Sequence, residues 1–161
     1  MATSTPPRSH ESVAQRSPGD VQEGDYLLYA EDNPSDVIFF VRSLKKVDPN
    51  LRLEHRENGM LAREYLMDCV ENNWALPNLV ILDIKMPGLS GLDLLEYIRS
   101  TPELTQLPVI ILSASAEERD KQRAYLNHVN AYLVKPDRYQ DLSALVESIV
   151  SFWVWYNHVP V

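Results

Sequence analysis

Four short polar stretches in this 161-residue sequence each follow directly on an apolar run. Glu31-Asp32 follows Tyr26-Leu27-Leu28-Tyr29-Ala30, and Asp83 follows Leu79-Val80-Ile81-Leu82. Ser113 follows Val109-Ile110-Ile111-Leu112, and Lys135 follows Ala131-Tyr132-Leu133-Val134. If the runs are neighbouring strands, Glu31, Asp32 and Asp83 share one crevice. Carboxylates that close repel, and keeping them all ionised is costly without a cation. Hard oxygen ligands in an incomplete shell suit Mg²⁺, which prefers octahedral geometry and retains several waters. A carboxylate, such a cation, a hydroxyl and an ammonium together are the parts that phosphoryl transfer uses, because that reaction asks for positioning and charge neutralisation more than covalent work. Each residue also has a plainer use. Asp83 could close a turn, Glu31 could cap the next helix and leave Asp32 as the only ligand, and Ser113 could cap as well. Lys135 could be a surface lysine, and Tyr132 could simply pack at a sheet edge.

The elements around these residues must bring them together. A continuous apolar run such as Leu79–Leu82 reads as a strand buried on both faces of a parallel sheet. Beyond Asp83, Met86-Pro87-Gly88 and Ser90-Gly91 break the chain before Leu92, Leu94, Leu95 and Ile98 set a helical period. Asn33-Pro34-Ser35-Asp36 opens a helix, with proline suited to its first turn and Asp36 to its dipole. Val37, Phe40, Val41, Leu44 and Val47 continue it, and Asp48-Pro49-Asn50 ends it. Leu51, Leu53 and His55 alternate with Arg52 and Glu54 as a half-exposed edge strand does. Asn58-Gly59 turns into a helix through Leu61, Tyr65, Leu66 and Cys69. A polar helix spans Glu117 to Asn127, and a last helix runs from Leu142 through Tyr156. Strand and helix alternate five times, which predicts an α/β, doubly wound parallel sheet with helices on both faces. Such sheets gather their chemistry beyond the carboxyl ends of the strands.

Composition narrows the rest. A formal net charge of −8 argues against a nucleic-acid surface, which needs clustered Lys and Arg. No run approaches the roughly 20 apolar residues of a membrane span. The single Cys69 cannot form an internal disulfide, so a reducing, cytoplasmic setting is expected. Residues 1–24 hold Pro, Ser, Thr and charge with little to bury, so this tail is expected to be disordered, and it lacks the apolar segment of a secretory signal. The folded unit is expected over 25–157. His10, His55, His128 and His158 show no metal spacing and are expected to be solvated.

In this order, Glu31-Asp32, Asp83 with Met86-Pro87 and Gly91, Ser113-Ala114 and Lys135-Pro136 resemble the receiver domain of two-component response regulators, over about Asp25 to Val150. The resemblance implies a flavodoxin-like, five-stranded sheet of order 2-1-3-4-5. It implies Asp83 as phosphoacceptor from a sensor histidine kinase. Mg²⁺ would be held by Asp32, Asp83, Glu31 through water, and the Lys85 backbone carbonyl. Lys135 would pair with the phosphoryl oxygens, Ser113 and Tyr132 would form the switch, and the Lys135-Pro136 bond would be cis. Lys85 departs from the family, where a small polar residue such as Asn is common two places after the acceptor, and this implies an altered lifetime of the aspartyl phosphate. Binding and signalling rather than enzymatic turnover are implied.

The end of the sequence adds a second resemblance. Ser148 to Tyr156 is apolar all round its helix, more than one stripe requires, so Val154 and Trp155 suggest a patch that a partner covers, unless the tail folds back on its own domain. This tail and the Trp74 connection are similar to those of single-domain regulators of bacterial phytochrome-type kinases. They imply a homodimer through the last helix, with Phe152, Trp153 and Trp155 at the interface. No DNA-binding or enzymatic segment is expected, so output is expected to run through protein contacts or phosphorelay. Three other readings compete. An aspartate-nucleophile phosphatase or phosphotransferase usually has a second Asp where Lys85 stands. A flavodoxin-like cofactor binder would need a phosphate loop after the first strand. A non-phosphorylated scaffold would not need the full acidic set.

Overall fold

A computed structural model describes residues 24–158. The expected disorder of residues 1–24 and the solvated state of His10 therefore concern positions almost wholly outside the described residues. Five strands alternate with five helices: β1 Tyr26–Ala30, α1 Pro34–Val47, β2 Arg52–Arg56, α2 Gly59–Glu71, β3 Leu79–Leu82, α3 Gly91–Ser100, β4 Val109–Ser113, α4 Glu118–Leu126, β5 Ala131–Val134 and α5 Tyr139–Val150. A short 3₁₀ turn, Pro102–Leu104, precedes β4, and a π-helical turn, Ser151–Tyr156, continues α5. The strands form one parallel sheet of order β2-β1-β3-β4-β5. Each strand therefore presents its carboxyl end to the same edge.

The apolar runs are continuous because each strand feeds two cores. Leu28, Ala30, Val80, Leu82, Val109 and Ile111 point to the side covered by α2 and α3, where Leu66, Leu94, Leu95 and Ile98 meet them. Leu27, Tyr29, Leu79, Ile81, Ile110 and Leu112 point to the side of α1 and α5, against Phe40, Leu44, Val146 and Ile149. A strand with period-2 alternation and helices on both faces has no solvent side to leave polar. β2 is at the edge, and its residues are half exposed, as its alternating sequence predicts.

Helix starts are specified locally. The Asn33 side chain accepts the Ser35 and Asp36 N–H groups, with Pro34 at the first helical position. Ser90 and Asp93 form a reciprocal capping box at the start of α3. α4 is held differently. Of its apolar residues Ala124 is buried, while Tyr125 and Leu126 are exposed. What fixes this helix to α3 is Arg123, whose guanidinium reaches Asp93 at 2.7 Å and Glu96 at 2.9 Å.

The last helix departs from expectation at its end. From Ser151 the winding widens, and the Asn157 N–H donates to the Phe152 carbonyl at 2.8 Å, an i→i+5 bond. The wider turn swings Val154 inward, so it is wholly buried in the α1–α5 core of its own domain. Val154 is therefore not part of a surface patch. Trp153 and Trp155 pack partly against that core, and Phe152 and Tyr156 stay exposed.

Two glycines let helices close on the loop after β3. A Cβ on Gly91 would run into the backbone carbonyl of Asp83, and one on Gly59 into that of Leu89. Backbone atoms cannot give way as a side-chain tip can, so α3 would have to move off the strand end. Gly91→Ala is expected to lower stability by about 1–3 kcal/mol despite the better helix propensity of alanine. Urea unfolding checks this, and an unchanged or higher midpoint would contradict it.

Candidate phosphoryl-transfer site

The backbone places the site before any side chain acts. Past the ends of the strands, the ladder continues for one more bond at each functional residue. The Glu31 N–H donates to the Arg56 carbonyl, Asp83 N–H to the Ala30 carbonyl, and Lys135 N–H to the Ser113 carbonyl, at 3.1, 3.1 and 2.8 Å. Glu31, Asp83 and Lys135 are thus held in register with their neighbours, and residues 52 and 104 positions apart come to one hollow.

In that hollow, one oxygen from each of Glu31, Asp32 and Asp83 lies within 4.8 Å of the others. Glu31 is 1% exposed and Asp83 6%, whereas Asp32 faces solvent. The Lys135 ammonium sits 2.7 Å from Glu31 Oε2, 2.9 Å from Asp36 Oδ2 and 3.6 Å from Asp83 Oδ1. Ser113 is buried and its Oγ accepts the Ser115 N–H at 3.2 Å. The Tyr132 hydroxyl donates to the Ser115 carbonyl at 2.8 Å. Lys85 points to solvent at the rim. The sequence-derived set Glu31, Asp32, Asp83, Ser113 and Lys135 is brought together, with Tyr132 one residue removed. The Lys135-Pro136 bond is trans, contrary to expectation. Trans is the lower-energy isomer even before proline, and Lys135 reaches the acidic cluster from it.

The electrostatics follow from one ammonium among several carboxylates. Burial, reinforced by the negative charge of Asp83, pushes Glu31 up to about 7, although Lys135 and the Asn33 N–H act against the shift. Burial likewise raises Asp83 above the ordinary carboxylate range, with Lys135 and the backbone of Ile84 opposing. Burial alone would lower Lys135, but its bonds to Glu31 and Asp36 and the charge of Asp83 outweigh that and hold it raised. Both carboxylate shifts run toward the neutral form, the direction expected where buried carboxylates outnumber the positive charge beside them. The donor set is hard oxygen, clustered and short of positive charge, which fits a divalent cation.

Four residues of the hollow escaped the sequence reading. Asp36, read only as a partner of the helix dipole, is a second acceptor for Lys135. His55 is only partly exposed: its Nε2 lies 2.8 Å from the Glu31 backbone carbonyl, pinning the loop that carries the acidic pair. The Tyr29 hydroxyl donates to Glu31 Oε2 at 3.4 Å. Asp120 accepts from Ser115 Oγ at 2.6 Å. Asp36 and His55 meet partners distant in sequence, Lys135 and the Glu31 carbonyl, and carry no local signal of it. His128 and His158 are exposed as expected. Glu31 is not the cap of α1, a role Asn33 takes.

Comparison with known proteins agrees with this geometry. The probable methanogenesis regulatory protein FilR2 of Methanothrix harundinacea is 34% identical over 145 residues, covering 88% of this chain and 94% of that protein. Response regulator Rcp1 of Synechocystis is 33% identical over 129 residues, 80% of this chain and 88% of its own. The crystal structure of Mn²⁺-bound Rcp1 superposes with a TM-score of 0.77 at 31% identity, covering 85% of this chain and 99% of that one. The phosphorylated cyanobacterial phytochrome response regulator RcpA gives 0.79 at 30% identity with the same coverage. The profile of the response regulator receiver domain matches residues 27–147. Sheet order, clustered carboxylates and sequence profile agree, and the chain belongs to the response regulator receiver domain family.

Proposed function

We propose that this protein is a phosphorylation-driven switch in which Asp83 accepts a phosphoryl group from a sensor histidine kinase. The observation that carries the reading is the meeting of buried Glu31 and Asp83, exposed Asp32 and Lys135 in one hollow at the strand ends. An Asp83 carboxylate oxygen attacks phosphorus, the bond from phosphorus to the kinase imidazole nitrogen breaks, and an acyl phosphate forms on Asp83. Lys135 supplies a positive charge to the phosphoryl oxygens, and Ser113 turns its hydroxyl toward them. Glu31, Asp32, Asp83 and the Lys85 carbonyl would hold Mg²⁺, which when bound neutralises charge on the transferred group. Tyr132, on the strand next to Ser113 and close to Ser115, would relay the change to the face of α4, β5 and α5. The protein would act as a cytoplasmic signalling partner rather than an enzyme, and the alternative of an aspartate-nucleophile phosphatase is disfavoured by Lys85 where such enzymes carry an acid.

Likeness to RcpA supports a phytochrome-type kinase upstream. The exposed Phe152, beside the partly covered Trp153 and Trp155, supports a homodimer through the end of the last helix over a folded unit of residues 25–157.

Three outcomes are expected. With Mg²⁺ and acetyl phosphate, the intact mass of the wild type gains one phosphoryl group and that of Asp83→Asn gains none; a gain by both would refute Asp83 as acceptor. Because Glu31 binds a proton up to about pH 7, the cation must displace it below that pH. Apparent Mg²⁺ affinity should fall about tenfold between pH 8 and pH 6; isothermal titration showing equal affinities would count against the reading. Sedimentation should give a dimer for the full chain and a monomer of unchanged melting temperature for Phe152→Glu; a wild-type monomer at all concentrations would exclude the dimer.

A further inference from the structure

The ion pairs of Lys135 are not equivalent, and their difference has a use. Its ammonium has three donors. One is taken by Glu31 at 2.7 Å and one by Asp36 at 2.9 Å, while Asp83 at 3.6 Å lies beyond direct hydrogen-bond distance. The lysine is drawn toward α1, away from the aspartate it would serve. Among the described residues, the Asp36 carboxylate makes its only hydrogen bond to Lys135. Its place in the first turn of α1 is set by Pro34 and by the Asn33 side chain, which accepts the Asp36 N–H.

We propose that Asp36 is a positioning residue, a latch that holds Lys135 back from Asp83 and opens when Asp83 carries a phosphoryl group. This rests on the reading of Asp83 as the acceptor. The choice of which contact opens follows from exposure. The Glu31 side chain is 1% exposed, so a lysine that left it would strand a buried carboxylate. The Asp36 side chain is 35% exposed, and water can replace the ammonium there at small cost. A phosphoryl group brings nearly two negative charges and three acceptor oxygens to the place where Asp83 offered one charge. Lys135 then keeps Glu31, exchanges Asp36 for the phosphoryl oxygens, and moves by about the width of one hydrogen bond. Before that exchange Asp36 competes for the ammonium, so it slows phosphoryl uptake and sets how readily the lysine responds. Removing its charge while leaving its shape, as in Asp36→Asn, should release the lysine toward Asp83. Asp36→Glu keeps the charge and should keep the latch.

Two measurements on the full-length chain test this. The first is the rate of phosphoryl uptake from acetyl phosphate with Mg²⁺, in the wild type, Asp36→Asn, Asp36→Glu, Lys135→Met and the Asn/Met double variant. The second, in cation-free protein, is the rate of Lys135 acetylation by an N-hydroxysuccinimide ester, read by peptide mass mapping. Uptake is expected to be about fivefold faster in Asp36→Asn, the size of a half-exposed ion pair, near the wild-type rate in Asp36→Glu, and insensitive to residue 36 once Lys135 is methionine. Lys135 acetylation should be several-fold faster in Asp36→Asn. Equal uptake in wild type and Asp36→Asn, or the same gain with Lys135→Met present, overturns the latch as a functional device. A wild type that takes up no phosphoryl group instead removes the Asp83 reading. In that case the acetylation rates alone decide the latch, equal rates overturning it.

Discussion

The structure depends on a charge imbalance that folding creates and does not relieve. Glu31, Asp36 and Asp83 converge on one ammonium, with Asp32 beside them at the rim. Bringing carboxylates into a poorly solvated hollow costs more than one lysine returns, which is why Glu31 and Asp83 are both pushed toward their protonated forms. An arrangement so short of positive charge favours whatever supplies more of it. The fold therefore prepares a place for a hard cation, and, once a cation is there, for the negative group that a cation and an ammonium can share.

The rest of the molecule can be understood as what forces those groups together. Two cores clamp the sheet from both sides, and parallel registry carries all the strand ends to one edge. One extra ladder bond past the strand at Glu31, Asp83 and Lys135 then fixes the functional backbone to within hydrogen-bond tolerance. Gly91 and Gly59 let α3 and α2 approach the loop behind Asp83. By contrast, α4 is attached to its neighbour largely by Arg123 and a single buried alanine, with two apolar side chains left in solvent. A rigid floor under the site and a lightly held helix beside it is a sensible division for a switch, since a local change of charge can move only what is weakly packed.

Much of this was legible in the sequence. The central strands are unbroken apolar runs, because helices cover both of their faces, and β1, β3 and the partly exposed edge strand β5 coincide with their runs residue for residue. The polar residue ending each run then identifies the site. What the sequence hid are contacts set by three-dimensional neighbours. Asp36 looked complete as a dipole partner, and only the approach of Lys135 from the far end of the chain gives it a second role. His55 sits in a half-exposed edge strand, where nothing in the sequence distinguishes a solvated imidazole from one bonded to a carbonyl on β1's continuation. The aromatic tail misled for a third reason. Its apolar residues fit an α-helical period, and the π-helical turn from Ser151 changes which side chains face inward, burying Val154. The trans Lys135-Pro136 bond lies beyond any sequence argument, because both isomers are accessible before proline.

The place where the phosphoryl group comes to rest decides whether these groups serve Asp83. An acyl phosphate on aspartate is reduced by borohydride to homoserine, so treating the phosphorylated protein and sequencing its peptides by tandem mass spectrometry locates the acceptor directly. Homoserine at position 83, and at no other aspartate, is the predicted result. Homoserine at Asp32 or elsewhere, with position 83 still aspartate, would contradict the claim that these groups are gathered to serve Asp83.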